Sequence, residues 1–378
     1  MVATKELFQA LEFAHYAERF RDKIFVIALS REAAFRDLLL DLKVLAGYHI
    51  QVVLAAPDPE FQLDRLIAVS NKRGTRFHLS LLTDVAHEPG GGLPHLDLDR
   101  LRGGLARGQM PVIAHHVQAD GAAPLEPAFA LGGELACALG ADKLYLVTPQ
   151  AGPWLAAASR SQVLREEMSR LDAELSNAGV AGQRPLMDFI HAALGRGIPD
   201  IVVVEGRRSY LFREVFTHDG AGMLFTRVKP SRIRPAEVKD VTDIALLLTP
   251  EIEEGRILQI DENEIERDIG HYQVYEIDGL LVGAARLKLF GRWAELAQFA
   301  TLPRYRGKGR ARELALKLIE QAIALKLDAV FALSIVPRMG EFFRALGFRE
   351  VERAVLPETW RSGYDLARPS RAFLKELP

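Results

Sequence analysis

The chain has 378 residues, 49% of them hydrophobic, so it is long enough for two or three domains with well-filled cores. Its 48 basic and 50 acidic side chains give a formal net charge of −2, which provides no overall positive field for nucleic acid. No apolar run approaches the roughly 18 residues of a membrane span, and the single cysteine, Cys137, excludes an intrachain disulfide. Because the N-terminus also lacks a secretory signal, we predict a soluble, cytoplasmic protein with no nucleic-acid or membrane partner.

Apolar runs alternate with amphipathic stretches over the first 229 residues. Runs typical of buried parallel strands lie at 24–29, 50–56, 110–114, 143–147 and 201–204. Helices are predicted at 4–21, 32–46, 60–70, 132–139, 162–176, 185–194 and 210–216, a glycine-rich excursion at 90–92, and an edge strand at 223–228. This alternation predicts an αβα sandwich around a mostly parallel sheet.

A segment with two prolines and three cationic residues, 229–235, predicts a domain boundary. It divides the chain into domains at 1–229 and 230–378. The second domain reads, in order, as a strand and helix at 233–248, a hairpin turning at Asp278-Gly279, a strand at 295–302, a helix after Gly309, a strand at 329–333 and a short helix at 339–348. This order is typical of an α+β domain.

The hexapeptide Arg306-Gly307-Lys308-Gly309-Arg310-Ala311 lies between an apolar strand and a helical repeat of apolar residues. Unpaired N–H groups at a helix N-terminus favour anions, and glycines let the backbone approach them, so a phosphate or pyrophosphate is the predicted ligand. Taken alone, the hexapeptide could also be an ordinary basic turn. Its spacing, R-x-x-G-x-A, resembles the acetyl-CoA signature of the GNAT N-acetyltransferases, and the later Phe342–Phe348 segment resembles the end of their penultimate helix.

The segment Glu214–Gly222, EVFTHDGAG, resembles a signature of the amino-acid kinase fold in the N-acetylglutamate kinase branch. A kinase-fold domain followed by a GNAT domain is the layout of bacterial N-acetylglutamate synthases. The resemblance therefore implies an α/β chain in which an amino-acid-kinase-like αβα sandwich precedes an α+β GNAT acetyltransferase domain. It also implies a homo-oligomer and an arginine effector at the N-terminal domain, near Tyr16 and the 216–222 loop.

The motifs of active kinases in that branch are missing. The first strand ends Ala28-Leu29-Ser30-Arg31 in place of K-x-G-G, the second is followed by Pro57-Asp58 in place of a glycine run, and Thr148-Pro149 replaces T-D. Without the lysine and glycines, phosphoryl transfer loses its electrostatic support. We predict a first domain without kinase activity that serves regulation and oligomerisation.

The GNAT resemblance implies acetyl transfer from acetyl-CoA, without a metal. Glu295 matches the glutamate of the G-E-M-A-C strand and is the candidate general base, although it could be a solvent-facing carboxylate. Backbone N–H groups of the strand at Gln298, Ala300 and Thr301 are expected to polarise the thioester, and those of the hexapeptide 306–311 to hold pyrophosphate.

The candidates for protonating the departing thiolate are Ser334 and Tyr364, with water as the third alternative. The C-terminal tail, 356–371, resembles the synthase segment in which an arginine and a serine hold glutamate carboxylates, and these fall on Arg368 and Ser370. A guanidinium beside a hydroxyl suits carboxylate geometry, and a solvated basic tail is the alternative interpretation.

The match fails at one point. In the segment 257–261 synthases carry an arginine that also contacts glutamate, whereas this chain has Gln259 and gains Asp261. Three cations could replace the missing arginine: Arg256, Arg286 and Lys288. The predicted function is an N-acetylglutamate synthase of arginine biosynthesis. The alternatives are a GNAT enzyme for another amino acid or small amine, or an arginine-sensing regulatory subunit with weak catalysis.

Overall fold

The computed structural model describes residues 2–33, 35–57, 78–81, 86–87, 95–114, 125–158, 160–307 and 309–378. Contacts divide the chain into two compact units, residues 10–229 and residues 230–378 together with 1–9. None of the helices in the described ranges combines the length and the apolar character that crossing a bilayer requires. The same ranges contain no group of three or more His, Cys, Asp or Glu side chains placed to hold a metal ion.

The helices of the first 229 residues fall largely where the apolar spacing predicts them. They span Val2–Arg19, Phe35–Gly47, Leu98–Ala106, Pro127–Leu139, Ala151–Ala157, Met168–Asn177, Arg184–Gly195 and Tyr210–Phe216. The helix predicted at 60–70 and the glycine-rich excursion at 90–92 lie outside the described residues.

The first sheet has eight described strands in the order β3-β6-β2-β1-β7-β9-β10-β8. They span β1 Ile24–Leu29, β2 Gln51–Ala56, β3 His78–Leu81, β6 Gln109–Ala114, β7 Lys143–Val147, β8 Gln162–Leu164, β9 Asp200–Val204 and β10 Met223–Thr226. The short strands β4 Ala86–His87 and β5 His95–Leu96 pair with each other. β9 and β10 are antiparallel, and the other described pairs of the large sheet are parallel.

Two sequence-based assignments in this unit are wrong. The helix predicted from Gln162 begins only at Met168, because residues 162–164 form strand β8 beside β10. The strand predicted at 223–228 ends at Thr226 and is not an edge strand, since β10 lies between β9 and β8. In both cases pairing between distant segments decides the outcome.

Strand β1 explains why the central strands are continuously apolar. Val26 and Ala28 belong to one hydrophobic cluster, whereas Phe25, Ile27 and Leu29 belong to another. Side chains of a strand alternate between its two faces, so β1 contributes to a core on each side of the sheet.

The second sheet has seven strands, ordered β11-β12-β13-β14-β15-β17-β16. They span β11 Ser231–Pro235, β12 Tyr272–Ile277, β13 Leu280–Phe290, β14 Trp293–Thr301, β15 Ala329–Ser334, β16 Arg349–Val351 and β17 Arg371–Glu376. The helices of this unit span Val241–Glu253, Glu262–Arg267, Arg310–Ala324, Pro337–Ala345 and Glu358–Arg361. The predicted hairpin turn is confirmed, because Asp278 and Gly279 have φ of 53° and 84° between paired Ile277 and Leu280.

Gly222 lies against the backbone of β9, and this close approach yields a stability prediction. A Cβ at Gly222 would lie 2.6 Å from the carbonyl oxygen of Val203, so we expect Gly222→Ala to destabilise the fold by about 1–3 kcal/mol. Gly47, at a helix end with no atom within 4 Å of its virtual Cβ, is the matched control. Gly47→Ala should be neutral or stabilising by up to about 1 kcal/mol. Urea unfolding followed by circular dichroism checks both, and equal effects would contradict the packing argument.

Candidate active site

The second half of β14 departs from regular pairing with β13. Between the pairs Arg286–Ala297 and Ala284–Ala300 the register shifts, so β14 accommodates one extra residue. Gln298 within this β-bulge has φ of +54°, a left-handed conformation that is uncommon for a residue with a side chain. The bulge turns the backbone of β14 just before the predicted thioester-binding segment.

On its other side, β14 separates from β15. Their parallel pairing covers only Trp293–Glu295 with Ala329–Phe331, although β14 continues to Thr301. In this register, N–H groups beyond Glu295 that point away from β13 are not taken by β15. The second half of β14 thus has backbone N–H groups that face away from β13 and are available to a ligand.

The tyrosine that accompanies the bulge was not identified from the sequence. The hydroxyl of Tyr272 donates to the side-chain oxygen of Gln298, and the guanidinium of Arg286 lies 5.6 Å from the centroid of its ring. Burial raises the pKa of Tyr272 to about 12, so the hydroxyl keeps its proton and remains a donor at neutral pH. Tyr272 therefore holds the bulge residue in place.

The glycine-rich loop has the geometry of an anion site. Gly307 and Gly309 both have φ of +80°, and no atom lies within 4 Å of a Cβ built on either. The following helix begins at Arg310, and Glu313 donates to the carbonyl of Gly309 at 3.0 Å. The N–H groups of the three residues before Glu313 come before this first hydrogen bond of the helix, so they have no partner within the helix. A pyrophosphate fits this arrangement; Lys308 lies outside the described residues.

Two arginines of that loop make contacts within the protein. Arg306 forms an ion pair with Glu251 at 2.5 Å and donates to the carbonyl of Thr301 at 3.1 Å. Arg310 is buried and donates to the carbonyl of Tyr305 at 2.8 Å. Both side chains are thus held by the protein.

Glu295 lies where β14 is still paired on both sides. It faces Lys288 on β13 and Phe331 on β15, and its carboxylate accepts a hydrogen bond from the side chain of Trp360. Burial raises the pKa of Glu295 from 4.5 to about 7, against the opposing effects of Lys288, the Trp360 hydrogen bond and Arg286. A carboxylate with a pKa near neutrality is suited to general base catalysis.

Trp360 joins three of the predicted residues, and sequence reasoning missed it. Its ring stacks on Tyr364 with centroids 4.5 Å apart, while its polar edge reaches Glu295. The hydroxyl of Tyr364 donates to Ser370 at 3.0 Å. Glu295, Tyr364 and Ser370 therefore form one contiguous cluster. A buried tryptophan in an otherwise polar tail was the one available signal.

Two further candidates make local contacts. The hydroxyl of Ser334 accepts from the N–H of Val336 at 3.0 Å, just before the helix Pro337–Ala345. Arg368 donates to the carbonyls of Gly255 and Arg256 at 2.7 and 2.9 Å. The structure thus connects the tail to the turn that precedes Gln259, and it engages the hydroxyl of Ser334 with the backbone of Val336.

The cations proposed to replace the missing arginine differ in their partners. Arg256 pairs with Glu251 and Glu254, and Arg286 pairs with Glu264 and Asp268. Lys288 is exposed, and it forms no ion pair with the described residues. Asp261 does not face a ligand as a free acid, because it caps the helix Glu262–Arg267 by accepting from the N–H of Glu264 at 2.8 Å.

Residues 239–348 match the acetyltransferase (GNAT) family. Over 242 residues the chain is 32% identical to an amino-acid acetyltransferase of Azotobacter vinelandii and 30% identical to one of Pseudomonas aeruginosa. Each alignment covers 63% of this chain and 55% of the relative, so the chain spans little more than half the length of these relatives.

A solved structure extends the similarity beyond the GNAT domain. The N-acetylglutamate synthase of Neisseria gonorrhoeae, complexed with coenzyme A and L-arginine, matches 98% of this chain with a TM-score of 0.73 and 21% identity. This likeness confirms the predicted fold class, an αβα sandwich followed by a GNAT domain. The predicted resemblance to N-acetylglutamate synthases is also confirmed.

The raised pKa of Glu295 yields a prediction on stability. Because folding raises this pKa from 4.5 to about 7, the protonated form favours the fold; the contribution is complete below pH 4.5 and lost as the pH rises through about 7. Glu295→Gln should therefore unfold less readily than the wild type at pH 8, by on the order of 1–3 kcal/mol, and the difference should shrink towards pH 4.5.

Urea unfolding at pH 5 and pH 8 measures this difference. Glu350 provides a control of opposite sign, since hydrogen bonds from Arg371 hold the pKa of its carboxylate below the usual value. Glu350→Gln should lose stability relative to the wild type above pH 5. A pH-independent effect of Glu295→Gln would show that its carboxylate is not desolvated.

Proposed function

We propose that this chain is an amino-acid N-acetyltransferase that transfers the acetyl group of acetyl-CoA to the α-amine of L-glutamate. The observation that carries the proposal is Glu295, a carboxylate with a pKa of about 7 beside the opening between β14 and β15. The glycine loop at 306–311 supports it, because its backbone suits a pyrophosphate. The similarity to amino-acid acetyltransferases supports the same reaction class.

In the proposed reaction Glu295 takes a proton from the substrate ammonium. The neutral amine then attacks the thioester carbonyl and the new C–N bond forms. The C–S bond breaks to release thiolate, the nitrogen gives up its second proton, and this proton restores the acid that protonates the thiolate. N–H groups of the 298–301 segment would stabilise the oxyanion. Tyr364 is the better candidate for protonating the thiolate, because it belongs to the Trp360 cluster, whereas the hydroxyl of Ser334 donates to the carbonyl of Val336.

The acceptor should be an amino acid with a second carboxylate. Arg368 and Ser370 are the candidate contacts for that group, and Ser370 lies in the Trp360 cluster. Because Gln259 stands where synthases have an arginine, another amino acid or a small amine is the alternative acceptor. A mainly regulatory subunit is less well supported, since a purely structural module has no need for a carboxylate such as Glu295.

For the N-terminal domain, residues 1–229, we propose a regulatory and oligomerising role without kinase activity. Buried acids hold the loop that follows the helix Tyr210–Phe216: Glu214 accepts from the N–H groups of Ala221 and Gly222 at 2.6 and 2.8 Å, and Glu12 accepts from that of His218 at 2.7 Å. Tyr16, on the same helix as Glu12, is buried. This ordered loop is the candidate site for an L-arginine effector.

The acceptor is identified by incubating the protein with acetyl-CoA and each amino acid and following thiol release. Turnover with L-glutamate is expected and should rise with pH through about 7, as Glu295 loses its proton. Glu295→Gln should lower kcat roughly 10²- to 10⁴-fold and abolish that dependence, because general base catalysis is lost. Acetyl-CoA binding, measured by calorimetry, should stay unchanged.

Turnover only with other acceptors would favour the alternative enzyme, and none with any acceptor would favour the regulatory subunit. An unchanged rate in Glu295→Gln would remove this residue as the base.

The effector proposal predicts that L-arginine raises the melting temperature of the full chain, because a ligand that binds only the folded state stabilises it. Citrulline is the matched control, since it has nearly the same shape without the guanidinium charge. Equal shifts with the two compounds, or none with either, would rule out an arginine site.

A further inference from the structure

Among the cations considered for the acceptor carboxylates, two have no acidic partner in the described part of the chain, Lys288 and Arg368. Arg286 and Arg256 are bound by acidic side chains, and Arg306 pairs with Glu251. The guanidinium of Arg368 donates to two backbone carbonyls. Lys288 is exposed and forms no ion pair within the described part of the chain; its ammonium lies 5.7 Å from the centroid of the Phe290 ring.

Lys288 is also directly opposite Glu295 in the antiparallel pairing of β13 and β14. Side chains of directly opposed residues lie on the same face of a sheet, with Cβ atoms about 4.5–5.5 Å apart. The charge of Lys288 acts on Glu295, because it lowers the pKa of that carboxyl against the larger effect of burial. A base and a free cation are therefore adjacent at the opening between β14 and β15.

The neighbouring side chains of Glu295 and Lys288 suit the two charged groups of an α-amino acid, because its ammonium and its α-carboxylate are attached to the same carbon atom. If Glu295 takes the proton from the amine, a carboxylate on the same carbon lies within reach of a neighbouring four-carbon ammonium side chain. Ser370 is separated from Glu295 by the stacked rings of Trp360 and Tyr364, so the tail serves the more distant group.

We propose that Lys288 binds the α-carboxylate of the acceptor and thereby restricts the reaction to free α-amino acids. This inference rests on the proposed function, in which Glu295 is the base. Lys288, on β13, then supplies to a defined carboxylate the positive charge that Gln259 lacks. Amines without an adjacent carboxylate would lose this contact and bind weakly.

The test compares three acceptors: L-glutamate, its α-amide (isoglutamine) and its γ-amide (glutamine). The wild type should prefer glutamate over isoglutamine by about 10- to 100-fold in kcat/KM, the range expected for a hydrogen bond to a charged group. Lys288→Gln should abolish that preference and leave the preference over glutamine intact. Lys288→Arg, which keeps the charge, should retain most of it.

Lys239→Gln is the control, because Lys239 is an exposed lysine that pairs with Glu237 on the turn after β11. It should leave both preferences unchanged. If Lys288 only tuned Glu295, Lys288→Gln would slow all three acceptors equally and shift the pH profile, and the inference would fail. If Lys288→Gln instead loses the preference for glutamate over glutamine, Lys288 contacts the side-chain carboxylate, and the inference is also wrong.

Calorimetric binding of L-glutamate in the presence of coenzyme A separates this inference from the proposed function. If L-glutamate binds, the binding requires Lys288 and no turnover follows, the carboxylate contact stands and the proposed reaction is wrong. If Lys288→Gln turns over with the acceptor preferences of the wild type, the proposed reaction stands and the contact between Lys288 and the α-carboxylate is wrong. A wild type that binds no amino acid would reject both.

Discussion

The second domain depends on how a single carboxylate, Glu295, is kept out of water while remaining able to ionise. Burial disfavours its charged form, and the Trp360 hydrogen bond with the nearby charge of Lys288 offsets part of that cost. A fully exposed carboxylate would be a weak base, and an unpartnered buried one would stay protonated at neutral pH. The balance near pH 7 therefore depends on Lys288 and on Trp360, which the short helix Glu358–Arg361 brings to the sheet from the tail.

Strand β14 serves two purposes because its two halves are bonded differently. Its first half is paired with both neighbours, and this rigid part holds Glu295. Its second half contains the bulge and leaves β15, which exposes backbone donors without unfolding the strand. The contact between Tyr272 and Gln298 explains how a left-handed residue is maintained there. Burial of Tyr272 and its contact with Arg286 connect the bulge to the acidic side chains that hold Arg286.

The sequence predicts those structural features that depend on residues close together along the chain. The central strands β1 and β7 are apolar on both faces, the Asp278-Gly279 turn has its own conformational preference, and the glycine loop is a local motif. Prediction fails where distant segments decide. Residues 162–164 become a strand through pairing with β10, and Arg306 turns to Glu251 on another helix. Trp360 reaches Glu295 only after the tail has folded back on the sheet, and no local pattern encodes that contact.

In the first domain, the residues that shape a loop are distinct from the residues that kinase chemistry would require. Its sequence lacks the kinase motifs, as at Ser30-Arg31, while acids that organise a loop are present. Glu214 is buried, and burial raises its pKa even though two backbone N–H groups donate to it. A carboxyl in that environment adds little stability at neutral pH, because its charged form is disfavoured. Its contribution is instead geometric, since it fixes the backbone of Ala221 and Gly222 against β9. The regulatory role proposed for this domain uses the conformation of that loop and requires no phosphoryl transfer.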